Sequence, residues 1–387
     1  MTNSSSKKLI RITTIPMALR YLLPGQMNFM KENGFEVLMI SADGEHLKEV
    51  IENERCRHIV VPMTRKITPW QDLKCLIRLI NIFRKEKPDI VHSHTPKAGL
   101  LAMIAAKITG VKIRIYTVAG LPMVVEKGLK KLLLKRVEKI TYAFANHVWP
   151  NSNSLLQYII ENKFTSTKKL KIIGKGSSNG IDTNKFNVES LNPDLFEDIK
   201  SSINYSEENI YLLYIGRLVK DKGIVELVNV FISLQQAFPL LKAILIGDFE
   251  ESLDPLPKIT LEEIKNNASI IHVGWTDRVE YYLRLSNIFV FPSHREGFPN
   301  VLLQAGAMQL PIICSNIMGN IDVVRDNEMG FIFKCQDENE LKDKIILALN
   351  EPEHIKKMAS KLYQMTITYY NREIFWQKML SEYKKLV

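Results

Sequence analysis

The chain has 387 residues, which is too long for a single ordinary hydrophobic core. The length suits two domains of roughly 150 to 200 residues each. Apolar residues make up 46% and charged residues 24%, with a mean hydropathy near zero, which excludes disordered and fibrous proteins. Residues 1–185 carry 31 Lys and Arg against 14 Asp and Glu, whereas residues 186–387 carry 21 against 28. The basic half predicts an anionic partner (a phosphorylated ligand, a nucleic acid or an anionic membrane face), with a merely solvated surface as the alternative.

Short apolar runs rich in β-branched residues alternate with amphipathic helical stretches along the whole chain. In the first half, the runs that predict strands are 9–15, 35–40, 58–61, 89–92, 112–118, 147–149 and 170–173. Helices are predicted between them, for example at 68–85, with Pro69 in the first turn, and at 98–109, closed by Gly110. In the second half, strands are predicted at 210–215, 241–246, 270–273, 288–291, 312–314 and 331–333, and helices at 341–349, 355–366 and 372–386.

This alternation predicts an α/β protein of two Rossmann-like domains, each with a doubly wound parallel sheet covered by helices on both faces. We place the N-terminal domain at 1–185, joined by the last helix at 368–387, and the C-terminal domain at 186–367. Ligands of such sheets bind beyond the carboxyl ends of the strands. With two sheets facing each other, we expect the functional site in the cleft between them.

Cysteine spacing and hydropathy indicate where the protein works. The four cysteines lack CxxC spacing, which argues against a zinc or disulfide framework and predicts free, mostly buried thiols at Cys56, Cys75, Cys314 and Cys335. The longest uncharged stretch, 297–321, is interrupted by prolines and amides, so we expect no membrane span. Arg11 interrupts the first apolar run and no small-residue cleavage site is evident, so we expect no signal peptide and a cytoplasmic protein.

The segment 288–311 contains the most informative functional signal. A buried strand is followed by a loop with Glu296 and Gly297, and a helix begins after Pro299. The free amides and positive dipole end of such a helix suit a phosphate, and Gly297 lets the backbone come close. Glu296 would repel a phosphate, so it is better explained as an acceptor for the hydroxyl hydrogens of a sugar. Gln304 lies eight residues later, on the side of the helix that can face the same ligand.

Two cations follow another predicted strand. Arg217 and Lys222, with Gly216 and Gly223 beside them, come directly after the run at 210–215. Held at the end of a buried strand, they can neutralise a leaving diphosphate. The alternative is an ordinary surface loop.

These segments, in this order and spacing, resemble the retaining glycosyltransferases of family 4, which have the GT-B fold and include enzymes of bacterial capsule and lipid-linked oligosaccharide assembly. The resemblance spans nearly the whole chain and rests on EGFPNVLLQAGAMQLPII from Glu296, YIGRLVKDKG from Tyr214, DIVHSHTP from Asp89 and NGID from Asn179. The segments KGSSNGID and YTVAGLP resemble the capsular branch more closely. The resemblance implies that Arg217 and Lys222 stabilise the nucleoside diphosphate, that Glu296 contacts the donor sugar and that residue 304 holds the ribose hydroxyls.

We accordingly place donor binding at Gly216, Arg217, Lys222, Glu296, Gly297, Phe298, Asn300, Val301 and Gln304. Two positions depart from the family pattern. Gln304 replaces the second acid, and an amide can bond a ribose hydroxyl only without charge assistance. Ala119 stands where many relatives have a His that contacts the donor, so that role is not carried over to this chain.

His92 and His94 end another predicted strand on either side of Ser93. We expect their side chains on opposite faces, with only one turned toward the cleft. His94, nearer the carboxyl end, is the candidate for a catalytic role as a contact of the acceptor or of a phosphate, and a purely structural histidine is the alternative.

Lysines recur every four residues at 127, 131, 135 and 139, beside an apolar stripe of Leu129, Leu132, Leu133, Val137 and Ile140. This pattern predicts a basic amphipathic helix that could rest on an anionic membrane beside a polyprenyl-diphosphate acceptor. The alternative is a helix packed on its sheet with a lysine-rich outer face.

The sequence has no GxxxxGK[ST] and no DxD, and its glycine-rich stretch at 174–180 misses GxGxxG by one residue. We therefore expect no metal, no cofactor and no nucleic acid, with Arg217 and Lys222 serving in place of a metal. The predicted function is transfer of a hexose or N-acetylhexosamine, with retention, from a UDP-linked donor to a lipid-linked glycan precursor of surface polysaccharide, in the cytoplasm or at the inner membrane face. The alternatives are a GT-B sugar-nucleotide epimerase or hydrolase, and a catalytically weakened binding subunit of a glycan assembly complex.

Overall fold

The computed structural model describes residues 6–124, 126–250 and 254–387. The chain divides into two compact units, one of Met1–Gly180 with Arg372–Val387 and one of Ile181–Asn371. The boundaries expected from the sequence, after residues 185 and 367, fall five and four residues from these. The last helix is therefore part of the first unit, although it follows the second unit in sequence.

Each unit contains one six-stranded parallel sheet in the part of the chain that the structure describes. In chain order the strands are β1 (Lys7–Ile12), β2 (Phe35–Ser41), β3 (Arg57–Val60), β4 (Ile90–Ser93), β5 (Ile113–Val118), β6 (His147–Pro150), β7 (Ile210–Ile215), β8 (Leu241–Ile246), β9 (Ile270–Gly274), β10 (Ile288–Phe291), β11 (Ile312–Ser315) and β12 (Phe331–Phe333). The sheet orders are β3-β2-β1-β4-β5-β6 and β12-β11-β10-β7-β8-β9. Both are the same doubly wound order, which reverses between β1 and β4 in one unit and between β7 and β10 in the other. The predicted fold class of two Rossmann-like sheets is confirmed.

Helices connect the strands and cover the sheets. In chain order they are α1 (Pro16–Leu22), α2 (Gln26–Glu32), α3 (Leu47–Glu54), α4 (Pro69–Glu86), α5 (Pro96–Ile108), α6 (Gly128–Phe144), α7 (Asn153–Glu161), α8 (Pro193–Ser202), α9 (Ile224–Gln235), α10 (Lys258–Asn266), α11 (Val279–Leu285), α12 (Asn300–Ala307), α13 (Asn320–Val323), α14 (Glu338–Asn350), α15 (Pro352–Tyr369) and α16 (Arg372–Leu386). Several begin at the caps that the sequence offers: Asn192 accepts from the Leu195 amide and Asp337 from the Glu340 amide. Such caps satisfy amides that have no partner inside the helix.

The first sheet has a separate apolar core on each face. On one face, α4, α5 and α6 pack on the strands through residues such as Leu79, Ala102 and Tyr142. On the other face, α2 and α16 pack through residues such as Met27 and Phe375. The C-terminal helix thus completes the core of the unit in which the chain began.

Two local predictions are wrong. Residues 170–173 do not form a strand, because Leu170 makes only one isolated bridge, to Val148, before Gly174 turns the chain at a φ of +61°. His92 and His94 do not point to opposite faces: their rings stack with centroids 4.4 Å apart and planes at 27°. Residues two apart along a strand share a face, so their spacing in the sequence required this arrangement.

Candidate active site

Two loops meet at the carboxyl edge of the second sheet, where its strand order reverses. Strands β7 and β10 pair side by side, with Leu212 opposite Ile288. We call the residues after each strand the β7 loop (216–223) and the β10 loop (292–299). In open parallel sheets this reversal point is where ligands bind.

Three pairs of polar side chains connect the β7 loop and the start of α9 to the β10 loop. They are Lys222 Nζ with Glu296 Oε1 at 2.5 Å, Arg295 Nε with Asp221 Oδ2 at 2.8 Å, and His294 Nε2 with Glu226 Oε1 at 2.8 Å. Ser293 also donates its hydroxyl to Glu296 Oε1 at 3.1 Å. Glu296 is therefore held by two donors and has one carboxylate oxygen, Oε2, outside these contacts.

Two glycines, Gly223 in the β7 loop and Gly319 after β11, allow close contacts with the β10 loop. Gly223 has a φ of +73°, and a Cβ at this position would lie 2.2 Å from the carbonyl oxygen of Pro292. Gly319 has a φ of +87°, and a Cβ there would lie 2.8 Å from the carbonyl oxygen of Gly297. Only glycine fits at such contacts, so these positions fix how near the β7 loop and the residues after β11 lie to the β10 loop. Ser315 adds a hydrogen bond to the Ser293 carbonyl at 2.5 Å.

Arg217 lies at the end of β7 beside Gly216. Its guanidinium pairs with the carboxylate of Glu250, and its carbonyl accepts a hydrogen bond from the Tyr214 hydroxyl at 3.1 Å. The Arg217 side chain is 41% exposed and that of Lys222 is 15% exposed. Each of the two predicted cations therefore already has a carboxylate partner.

Helix α12 begins directly after the β10 loop. Among its residues, Asn300, Val301 and Gln304 are partly exposed and the others are buried. Asn300 and Gln304 are four residues apart, so they lie on one side of the helix, as expected for two contacts of one ligand. The Phe298 ring packs on Tyr370, with centroids 5.4 Å apart, and belongs to the apolar core.

His94 belongs to the first unit, where it is 1% exposed within a buried polar cluster. Its Nε2 lies 2.8 Å from Nη2 of Arg11, which also bonds the side chain of Gln26. Because a guanidinium only donates, His94 accepts at Nε2 and carries its proton on Nδ1. Burial and the Arg11 charge hold the pKa of His94 well below its usual value, so the ring is neutral. Nδ1 has no hydrogen-bond partner among the described residues.

His92 completes the same cluster. Its Nδ1 lies 2.5 Å from the Tyr383 hydroxyl and its Nε2 lies 2.7 Å from Thr117 Oγ1. The Tyr383 hydroxyl accepts from Arg11 Nη1 at 2.6 Å. A hydrogen-bonded chain thus runs from Arg11 through Tyr383 and His92 to Thr117, and His92 is fully occupied by it.

The comparisons with known proteins agree with this geometry. The model for glycosyl transferases group 1 matches residues 196–365, and the model for glycosyl transferase 4-like proteins matches residues 14–152. The capsular polysaccharide biosynthesis glycosyltransferase CapM of Staphylococcus aureus is 36% identical over 380 residues, which are 98% of this chain and 97% of CapM. The chain belongs to the family 4 glycosyltransferases.

Further relatives of this glycosyltransferase have related descriptions. The UDP-Gal:alpha-D-GlcNAc-diphosphoundecaprenol alpha-1,3-galactosyltransferase of Escherichia coli is 26% identical over 315 residues, covering 81% of this chain and 79% of its own. The crystal structure of Anabaena HepE in complex with UDP superposes with a TM-score of 0.80 at 16% identity, covering 98% and 100% of the two chains. At that identity the superposition shows a shared fold.

Several features of the described residues bear on the other predictions. None of their helices is long and apolar enough to cross a membrane. No group of three or more His, Cys, Asp or Glu side chains among them is arranged to hold a metal ion. All four cysteines are free, and Cys56, Cys75 and Cys314 are buried.

The sequence interpretation missed the residues that hold the candidate active site together. Glu250, the partner of Arg217, lies 33 residues away from it after β8, and no local pattern marked it. In the sequence, Arg11 is visible only as a charge in an apolar run, although a wholly buried arginine in a strand must find acceptors. That charge was the one available signal for the cluster around His94.

Proposed function

We propose that this glycosyltransferase is a retaining, metal-independent enzyme of capsule or other surface polysaccharide assembly. It moves a hexose or N-acetylhexosamine from a UDP-linked donor to a lipid-linked glycan precursor. The observation that carries the proposal is the arrangement of Arg217, Lys222 and Glu296 at the reversal point of the second sheet. The descriptions of CapM and of the Escherichia coli galactosyltransferase support the pathway and the acceptor class.

Donor binding replaces one set of charge pairs with another. A diphosphate has more charge and more acceptor oxygens than a carboxylate, so it competes well for a guanidinium and an ammonium. In our proposal the diphosphate replaces Glu250 as the partner of Arg217 and Glu296 as the partner of Lys222. The second exchange also frees Glu296 Oε1, so the carboxylate gains acceptor capacity for the hydroxyls of the donor sugar.

The N-terminus of α12 and its partly exposed side complete the donor site. The amide end of a helix favours negative charge, and Asn300 and Gln304 offer neutral donors and acceptors to the nucleotide. Gln304 in place of a carboxylate gives the ribose an uncharged partner. We therefore expect a weaker contribution from this contact than an acid would supply.

Transfer needs no protein nucleophile in this scheme. The bond between the sugar C1 and the diphosphate oxygen breaks, with its electrons leaving on the diphosphate, which Arg217 and Lys222 stabilise. The acceptor hydroxyl attacks C1 from the same face, and its proton passes to the leaving phosphate. Fixed cations thereby provide the charge stabilisation that a divalent metal supplies in other phosphate chemistry.

The acceptor is assigned to the first unit. Residues 1–180 and 372–387 carry 34 Lys and Arg against 15 Asp and Glu, a balance that favours an anionic lipid diphosphate. Such an acceptor would place the enzyme in the cytoplasm at the inner face of the membrane. The Nδ1–H of His94 is the group that this residue could offer to the acceptor, and its catalytic role stays a prediction.

A panel of nucleotide sugars tests the proposal. A donor that binds the folded state raises the melting temperature by mass action, so UDP-hexoses or UDP-N-acetylhexosamines should stabilise the protein and EDTA should not abolish the effect. Transfer to a short-chain prenyl-diphosphate glycan, followed by NMR of the new anomeric linkage, checks acceptor and stereochemistry. Failure of every UDP-sugar to stabilise the protein contradicts the donor assignment. Hydrolysis without transfer indicates a hydrolase, and binding without any reaction indicates a binding subunit.

A further inference from the structure

Two helices on one face of the first sheet expose large apolar side chains. Helices α4 and α6 each pack against α5. On the α4 side, Trp70 is 81% exposed, together with Ile67, Leu73 and Ile77. On α6, Leu129 is 86% exposed, together with Leu132, Leu133 and Ile140. We call these eight residues, together with the exposed lysines and arginines of α4 and α6, the α4/α6 surface.

The exposed residues form stripes rather than isolated contacts. Residues 70, 73 and 77 recur at helical spacing along α4, and residues 129, 133 and 140 do so along α6. Single exposed apolar residues are ordinary, but contiguous stripes mark sites of interaction. The side of α4 turned to the core is apolar, with Cys75, Leu79 and Phe83, so both of its sides carry apolar residues.

Helix α6 carries apolar residues on its outer side. The residues that it buries fully are Glu138, Thr141 and Tyr142, and Leu134 packs partly buried against the core, whereas Leu129, Leu132 and Leu133 face outward. Burial raises the pKa of Glu138 to about 7, and the Tyr116 hydroxyl donates to its Oε1 at 3.4 Å. Helix α6 also packs against α5 and exposes Lys130, Arg136 and Lys139, as the predicted alternative of a packed helix with a lysine-rich outer face has it. The three exposed leucines give that outer face an apolar stripe as well, which is available to contact an apolar partner.

The most exposed residues lie at one edge of the sheet. Trp70 is the second residue of α4 and Leu129 the second residue of α6. Both helices follow parallel strands, β3 and β5, so their first turns lie toward the carboxyl edge of the sheet, where ligands of doubly wound sheets bind.

Uncompensated cations surround the apolar stripes. The acids of α4 are already paired, Asp72 with Lys97 at 2.7 Å and Glu86 with Lys8 at 2.9 Å. The acid of α6, Glu138, is buried. Exposed cations on the two helices that form no ion pair with any described residue are Lys74, Arg78, Arg84, Lys85, Arg136 and Lys139. The surface is therefore both apolar and net positive.

We propose that the α4/α6 surface docks this glycosyltransferase on an anionic lipid bilayer, with Trp70 and Leu129 inserted at the level of the headgroups. Tryptophan favours that interface, exposed leucines gain by leaving water, and lysine and arginine attract anionic lipids. A second copy of the chain is a poor occupant, because a symmetric contact would bring like charges together. Docking would hold the carboxyl edge of the first sheet near a lipid-linked acceptor, and only this last link rests on the proposed function.

Sedimentation with vesicles tests the docking surface on the full chain. Wild type should bind vesicles of phosphatidylcholine with phosphatidylglycerol at low salt, and bind vesicles of phosphatidylcholine alone less. The double variant Trp70→Ser, Leu129→Ser should lower the partition coefficient about tenfold or more. The matched control is Ile259→Ser, which removes a side chain that is 70% exposed on α10 of the second unit, and should bind as wild type does.

A charge variant separates the two contributions. Lys74→Gln, Arg136→Gln, Lys139→Gln should weaken binding to the anionic vesicles, whereas Lys357→Gln on α15 should not. Absence of wild-type binding, or equal binding by the double variant, overturns the proposal. So does a wild-type dimer in analytical ultracentrifugation that the double variant dissociates. Transfer to a water-soluble acceptor should persist in the double variant. If the wild type itself transfers no sugar to that acceptor, the proposed function is contradicted rather than the docking surface.

Discussion

At the scale of residues, the candidate active site is a set of exchangeable ion pairs. Arg217 with Glu250 and Lys222 with Glu296 keep two cations in place at the end of buried strands without leaving them unpaired. Both pairs are partly exposed, so solvent weakens them, and exchanging a carboxylate partner for a diphosphate would cost little free energy. In the proposed function, the cations would then bind the donor and stabilise the leaving group with little rearrangement.

Removing either cation should slow transfer without unfolding the protein. We expect Arg217→Ala and Lys222→Ala each to lower kcat/KM about 100-fold or more, because each would remove charge stabilisation from the leaving diphosphate. Lys220→Ala is the matched control, since Lys220 lies in the same loop but is exposed and outside the three pairs. Steady-state kinetics with the donor identified by thermal shift gives the comparison. Near-normal turnover in both variants would contradict the assigned role.

The sequence predicts the loops of the candidate site better than the partners of their charged residues. Arg217 and Glu296 lie in loops that follow apolar runs, and a run that ends at a loop marks the carboxyl end of a strand, but their contact with a ligand stays a prediction. Glu250 could not be found in this way, because its role depends on how β7 and β8 lie side by side. His94 is intermediate between these cases: the strand before it was predicted, but its partner Arg11 lies 83 residues away in sequence.

At the scale of elements, strand ends and close loop contacts determine the site. The strands at 210–215, 241–246, 288–291 and 331–333 have the bounds that their apolar runs predict, since a fully buried parallel strand needs a continuous apolar run. The run at 170–173 has the same composition but forms only one bridge. Composition alone therefore does not determine whether an apolar run pairs with an adjacent strand and joins the sheet.

The contact between the β7 and β10 loops can be tested at Gly223. An alanine there would adopt an unfavourable φ of +73° and would place its Cβ 2.2 Å from the Pro292 carbonyl oxygen. We expect Gly223→Ala to lower the free energy of unfolding by about 2 kcal/mol or more and to weaken donor binding. Gly110→Ala isolates the backbone cost, because Gly110 has a φ of +75° and no atom within 4 Å of its Cβ position. Urea unfolding of both variants makes the comparison, and equal losses would show that the loop contact is not tight.

At the scale of the whole molecule, the last helix of the chain completes the apolar core of the first unit. Helix α16 follows the entire second unit, yet it packs in the core of the first sheet through Phe375 and Met379. Tyr383 extends this return into the buried polar cluster. Its hydroxyl accepts from Arg11 and donates to His92, so a residue near the C-terminus satisfies a charge in the first strand. The sequence predicted the helix but not this dependence, because the partners are 372 residues apart.

Tyr383→Phe tests that dependence while preserving the shape of the core. Burial raises the pKa of Tyr383 to about 12, so its hydroxyl is neutral and available to Arg11 throughout the physiological range. Without the hydroxyl, the wholly buried guanidinium loses one acceptor and His92 loses its donor, and leaving such groups unsatisfied costs about 1–3 kcal/mol each. We expect a loss of stability of about 2 kcal/mol or more from the two groups together, measured by urea unfolding of the full chain. Tyr363→Phe on α15, where the ring is partly exposed, is the control and should change stability little. An unchanged unfolding curve for Tyr383→Phe would mean that Arg11 finds its acceptors elsewhere.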